Sequence, residues 1–123
     1  MLKSLIVFLI SALLILSCSK KDKIEAILEE GTIEEQMILA YKEGLEFLEK
    51  GDALYASKKF NEAEILFPQS IWAPKSSVMS AYSLYYYNYY GDAIFQLERH
   101  LKNYPNDKNL AYVHYLIAIC YFE

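Results

Sequence analysis

The chain has 123 residues and a mass of 14.3 kDa, room for one domain or a short repeat array. Hydrophobic residues at 54% and charged residues at 23% exclude disorder by composition, and four Gly with three Pro argue against a turn-rich sandwich or barrel. A net charge of -4 runs against a nucleic-acid partner, two Cys supply at most one disulfide, and the outstanding feature is 12 Tyr.

Residues 1–17 read MLKSLIVFLISALLILS: one cation, Lys3, then an apolar run from Leu5 to Leu16 broken only by Ser11. That is a charged n-region and an h-region of signal-peptide length, shorter than the ~20 apolar residues a spanning helix needs. Ile15-Leu16-Ser17-Cys18 follows, then polar Ser19-Lys20-Lys21. Apolar and small residues leading into Cys resemble a bacterial lipobox. The resemblance implies cleavage before Cys18, which then carries a diacylglyceryl and an N-acyl lipid and no other cofactor. Several acyl chains anchor a soluble domain firmly. Ser19, rather than Asp, after that Cys implies the outer membrane, facing the periplasm.

Residues 18–34 are expected to be the lipidated Cys and a charged tether. From Ile33 onward the apolar spacing is helical, with Ile38, Tyr41, Leu45 and Leu48 three and four residues apart. The chain then repeats itself. Gly44, Phe47, Ala56, Phe60, Ala63 and Pro68 recur as Ala81, Leu84, Ala93, Leu97, His100 and Pro105, each 37 residues on. One more step reaches Ala118 and Tyr121. Small residues mark close approaches of paired helices, large ones fill between them, and Pro68 and Pro105 end helices. His100 departs from the pattern where a small residue is wanted, and reads as a helix-packing histidine.

This order of small, large, small, large, small and Pro resembles the tetratricopeptide repeat, lengthened from its usual period of about 34. It implies an all-α solenoid of antiparallel helix pairs, two full repeats plus helix A of a third, preceded by the signal peptide. Expected helices are 37–50 with 52–65, 72–88 with 92–103, and 109–122. Gly51-Asp52 and Gly91-Asp92 are expected at the turns. Repeat 1 is placed at 35–70, repeat 2 at 71–107 and the first helix of repeat 3 at 108–123. Ala118, Ile119 and Phe122 would then be uncovered, so either the chain is truncated, the preferred expectation, or a partner covers this end. Cys120 lies in an apolar run and is expected in the core.

Three local features resemble the BamD family of outer-membrane lipoproteins: Phe67-Pro68 leading through Ser70 into the next helix; Ala81-Tyr82 with Tyr85-Tyr86; and Leu101-Lys102-Asn103-Tyr104-Pro105-Asn106 followed by Tyr112 and Tyr115. The resemblance implies the N-terminal portion of a scaffold and receptor in the β-barrel assembly (BAM) complex, which folds and inserts barrel proteins into the outer membrane. Implied partners are a BamA-like barrel protein, other BAM lipoproteins, unfolded β-barrel substrates and, through the lipid anchor, the membrane. The alternative is another periplasmic repeat lipoprotein, a secretin pilotin or a cell-envelope synthesis regulator.

On this register a peptide-binding groove is expected from Tyr41, Leu45, Lys75, Tyr82, Tyr85, Tyr112 and Tyr115. Tyr offers large contact area at low entropy cost, with a hydroxyl for backbone groups. Lys42 and Lys75 are placed to meet a terminal carboxylate. Consecutive Tyr85-Tyr86-Tyr87 must point three ways, so some of these are structural. No phosphate-binding Gly loop or nucleophile motif occurs, and His114 and Cys120 are wrongly spaced to share a helical face. Neither an enzyme nor a metal site is expected.

Overall fold

The computed structural model describes residues 33–123; the signal peptide, Cys18 and most of the tether lie outside the described residues. Five helices follow in order: α1 (Ile33–Glu49), α2 (Ala53–Leu66), α3 (Trp72–Tyr86), α4 (Tyr90–Asn103) and α5 (Leu110–Phe122). The described residues contain no strand. Each helix packs on the one before it, and α3 also touches α5. The connections 50–52, 67–71, 87–89 and 104–109 are short enough to turn each helix back on its predecessor.

Each boundary has a local cause. Helix α1 starts at Ile33, where the helical spacing begins and four residues before the expected range of 37–50, with Glu34 and Glu35 in its first turn, where carboxylates favour the helix dipole. Gly51 takes a left-handed φ of 83° after α1, and the Asp52 side chain then accepts a hydrogen bond from the Tyr55 backbone N–H at 3.1 Å, capping α2. Phe67-Pro68 and Tyr104-Pro105 follow the last turns of α2 and α4. Pro74 sits in the first turn of α3, where its missing N–H costs nothing.

The turn into α4 departs from expectation. Gly91-Asp92 lies inside α4, and the turn is made at 87–89, where Asn88 adopts a left-handed φ of 67°. Asn88 stands 37 residues after Gly51, so the backbone keeps the repeat although the residue changes. Asn tolerates that region better than other residues with a Cβ.

Small residues set how closely the helices approach. Gly44 of α1 is buried against Phe60 of α2. Ala81 and Ala93 are fully buried between α3 and α4 in a core with Leu84, Leu97, Val113, Leu116 and Cys120. A smaller cluster joins Met37 and Ala40 of α1 to Ala63 of α2. Burial pushes the Cys120 thiol up, as suits a packing residue. The central helix also buries Ser76, Ser77, Ser80 and Ser83 completely. Ser80 shares a 2.7 Å hydrogen bond with Ser57 of α2, and Ser83 donates to the Met79 carbonyl at 2.8 Å. These side chains let α3 lie close to its neighbours without apolar bulk.

His100 replaces the small Ala63 of the first repeat and is fully buried. Its Nε2 lies 3.2 Å from Asp107 Oδ2, outside hydrogen-bond alignment. Burial holds its pKa below the usual 6.5, outweighing the upward pull of Asp107. At the third repeat position Ala118, Tyr121 and Phe122 are exposed.

Candidate functional site

Two aromatic clusters contain six of the seven residues expected in the groove. The first forms between α1 and α3. Tyr41 is half-buried, with its ring edge-on to Phe60 at 5.1 Å and to Trp72 at 5.4 Å. Lys75 is exposed one turn after Trp72. Its Nζ lies 4.5 Å from the Trp72 ring centre and 5.6 Å from that of Tyr41. The two aromatic rings attract and orient this ammonium. Burial raises the Tyr41 phenol above its ordinary range, so it stays neutral.

The second cluster joins α3 to α5. Tyr82 lies 6.3 Å from Tyr85 and 5.9 Å from Tyr86, ring centre to ring centre, and Tyr112 lies 6.4 Å from Tyr115. Burial raises the Tyr112 phenol, and the neighbouring phenols of Tyr82, Tyr85 and Tyr115 raise it further. The two helices therefore bring four expected groove residues into one electrostatic neighbourhood. Tyr86 and Tyr115 are more than half exposed. Such a surface offers stacking area and hydroxyl donors to an extended chain.

The remaining positions divide differently from the sequence expectation. Leu45 is exposed one turn beyond Tyr41 and belongs to neither cluster. Val78, three residues after Lys75 on α3, is a core residue. The Tyr85-Tyr86-Tyr87 run splits three ways. Tyr85 packs on the core, Tyr86 is exposed, and the Tyr87 hydroxyl donates to the Leu48 carbonyl at 3.1 Å, tying the two interhelical turns together. Trp72 was not anticipated, although it is the chain's only Trp and stands three residues before Lys75.

A polar network was also missed. The Glu64 side chain, 5% exposed, accepts from Arg99 Nη2 at 2.5 Å and from the Tyr104 hydroxyl at 2.9 Å, while Arg99 also reaches Asn61 Oδ1 at 2.9 Å. It joins α2 to α4 and to the loop that follows α4. Among the described residues no three His, Cys, Asp or Glu side chains gather as a metal site, and no helix is long and apolar enough to cross a membrane.

Comparison with known proteins bears on this arrangement. A family model described as YfiO, outer membrane lipoprotein, matches residues 33–123. The chain is 36% identical over 104 residues to the outer membrane protein assembly factor BamD of Caulobacter vibrioides, covering 85% of this chain and 33% of that one. It is 28% identical over 120 residues to the BamD of Rickettsia prowazekii, covering 93% of this chain and 45% of that one. The chain thus spans less than half the length of both relatives, and no solved structure matches it. With five packed helices and the family model covering every described residue, the chain belongs to the YfiO family of outer membrane lipoproteins.

Proposed function

We propose that this chain is the N-terminal part of a BamD-type assembly factor, a non-catalytic scaffold and receptor of the β-barrel assembly machinery. Its helices form two tetratricopeptide-type repeats and the first helix of a third. A signal peptide at 1–17 directs export, and lipid on Cys18 holds the protein to the outer membrane, facing the periplasm. Unfolded barrel proteins are its clients, and a BamA-like barrel protein with other BAM lipoproteins are its partners. The clients' C-terminal strands, which often end in an aromatic residue, dock on the tyrosine surface.

The observation that carries this reading is the pairing of Tyr82 with Tyr85 on α3 and of Tyr112 with Tyr115 on α5, two helices that touch, in a chain whose relatives are named outer membrane protein assembly factors. A surface of aromatic rings and hydroxyls suits alternating apolar and backbone groups better than it suits a small polar substrate.

Co-purification tests the proposal. The tagged full-length lipoprotein is extracted in mild detergent and its partners are identified by mass spectrometry. A stoichiometric BamA-like barrel protein is expected. A secretin or an envelope-synthesis enzyme, with no BamA-like protein, would contradict the proposal.

A further inference from the structure

The alternating direction of the helices sorts the described residues into two ends. Met37, near the start of α1, clusters with Ala63, near the end of α2. The start of α3 shares a cleft with the loop after α4. These elements form the end at which the chain enters the fold, at Ile33. At the opposite end the Tyr87 hydroxyl donates to the Leu48 carbonyl, joining the end of α1 to the turn after α3. Helices of 13 to 17 residues hold the two ends about 20–25 Å apart.

The two ends differ in surface. The entry end carries an apolar tip, the loop from Phe67 to Ile71 and the adjoining Trp72. Ile71 is 87% exposed, with Phe67 and Trp72 exposed beside it. The tip is held in place: the Ser70 N–H donates to the Phe67 carbonyl at 3.0 Å, and the Trp72 N–H donates to Ser70 Oγ at 3.2 Å. The exposed charges at this end are Lys75, Lys102 and Lys108 against Glu34 and Glu35, a positive excess. Among the described residues none of these lysines has a carboxylate within 4.0 Å. The opposite end is acidic, with Glu46, Glu49, Asp52, Asp92 and Glu123 against Lys50.

We infer that the entry end of the helix stack is a docking surface for the lipid bilayer. Ile71 and Phe67 insert beneath the headgroups, the Trp72 ring lies at headgroup level, and the lysines face the lipid phosphates. An exposed, pre-ordered apolar tip loses little entropy on insertion. The acidic end is repelled by anionic lipid, which fixes the orientation. Residues 19–32 reach at most about 50 Å, so an anchor on Cys18 keeps Ile33 and the tip beside it close to the membrane. Tethering raises the effective concentration of lipid, and a contact too weak to hold a free protein then forms. The inference rests on the lipid anchor of the proposed function and adds to it a direct contact made by the folded helices.

The test uses the full lipoprotein reconstituted in vesicles of phosphatidylcholine and phosphatidylglycerol, four to one, made with ordinary or with dibrominated acyl chains. Bromine quenches a Trp that it touches, and the Trp72 signal is the emission lost in Trp72→Phe. Flotation first establishes that the protein is held on the vesicles. Brominated lipid is expected to quench Trp72. Ile71→Asp changes the most exposed side chain of the tip, leaves the fold intact, and is expected to lose most of that quenching. The double variant Trp72→Phe, Tyr89→Trp moves the reporter to an exposed position in the turn at the opposite end, and no quenching is expected there. A floated protein with Trp72 unquenched would overturn the docking surface and leave the anchor standing. Quenching undiminished in Ile71→Asp, or as strong at position 89 as at position 72, would also overturn it. A protein that does not float would remove the anchor, and the docking surface with it.

Discussion

A Cβ on Gly44 would lie 2.8 Å from the Phe60 ring, nearer than van der Waals contact allows. Gly44 on α1 is therefore the seat of a large side chain on α2, and the pair sets the spacing of the first helix hairpin. Two effects oppose each other in Gly44→Ala. Alanine gains about 1 kcal/mol of helix propensity, whereas overpacking a rigid aromatic contact costs about 1–3 kcal/mol. The Phe60 ring is fully buried and has nowhere to retreat, so the second effect wins. Gly44→Ala is expected to destabilise the fold by about 1 kcal/mol in urea unfolding. An unchanged or raised midpoint would mean that α1 and α2 are not held this closely.

The same helix pair is tied to α4 by charge. Arg99→Met would leave the Glu64 carboxylate buried with only the Tyr104 hydroxyl as partner. Breaking a buried pair costs about 3–5 kcal/mol, but Arg99 is 29% exposed, so about 2–3 kcal/mol is expected. The double variant Glu64→Met, Arg99→Met removes the orphaned charge and is expected to recover most of that loss. A double-mutant cycle by chemical denaturation measures the coupling, and additive losses would show that the pair does not interact.

His100 makes stability depend on pH. Its folded pKa lies below the unfolded value of about 6.5, so the unfolded chain binds the extra proton first. The stability contributed by neutral His100 is full above about pH 6.5 and is lost as pH falls toward the folded pKa. The melting temperature is expected to fall between pH 7.5 and pH 5.5. His100→Gln is expected to flatten that slope, whatever its own stability. An equally steep slope in His100→Gln would assign the effect to other groups.

The turn before α4 holds Asn88 at a φ of 67°, and its side chain accepts a 2.8 Å hydrogen bond from the Tyr90 hydroxyl. Asn88→Gly drops that hydrogen bond too but relieves the left-handed backbone, so it is expected to be nearly neutral. Asn88→Ala is expected to lose about 1–2 kcal/mol, because alanine pays the left-handed penalty and drops the hydrogen bond. Thermal unfolding of the two variants separates the backbone from the side-chain contribution.

Most of the helical framework was legible in the residue spacing. The 37-residue offset paired Gly44 with Ala81 and Phe60 with Leu97, and these positions are all buried. Cys120 was legible as core because it lies within an apolar run. The Gly91-Asp92 turn was misplaced because it repeats the Gly51-Asp52 dipeptide, whereas the offset itself points to Asn88. The buried serines of α3 were not legible. A small polar side chain scores as surface, and only the close packing of three helices makes its size matter more than its hydroxyl. Glu64 and Arg99 stand 35 residues apart and meet only through the fold. The tyrosines expected in a groove, Tyr82 and Tyr85 on α3 and Tyr112 and Tyr115 on α5, were picked from the helix register, while Trp72, which packs against Tyr41, was overlooked because it sits in the first turn, ahead of the periodic run.

The central claim is that the tyrosine surface receives barrel-protein clients, and site-specific photocrosslinking in cells tests it most directly. A photoreactive phenylalanine replaces Tyr115, more than half exposed in the cluster, or Phe95, somewhat more exposed on α4 outside it. The account predicts crosslinks from position 115 to the C-terminal segments of newly exported barrel proteins, and none from position 95. Client crosslinks from position 95 with none from position 115 would contradict it.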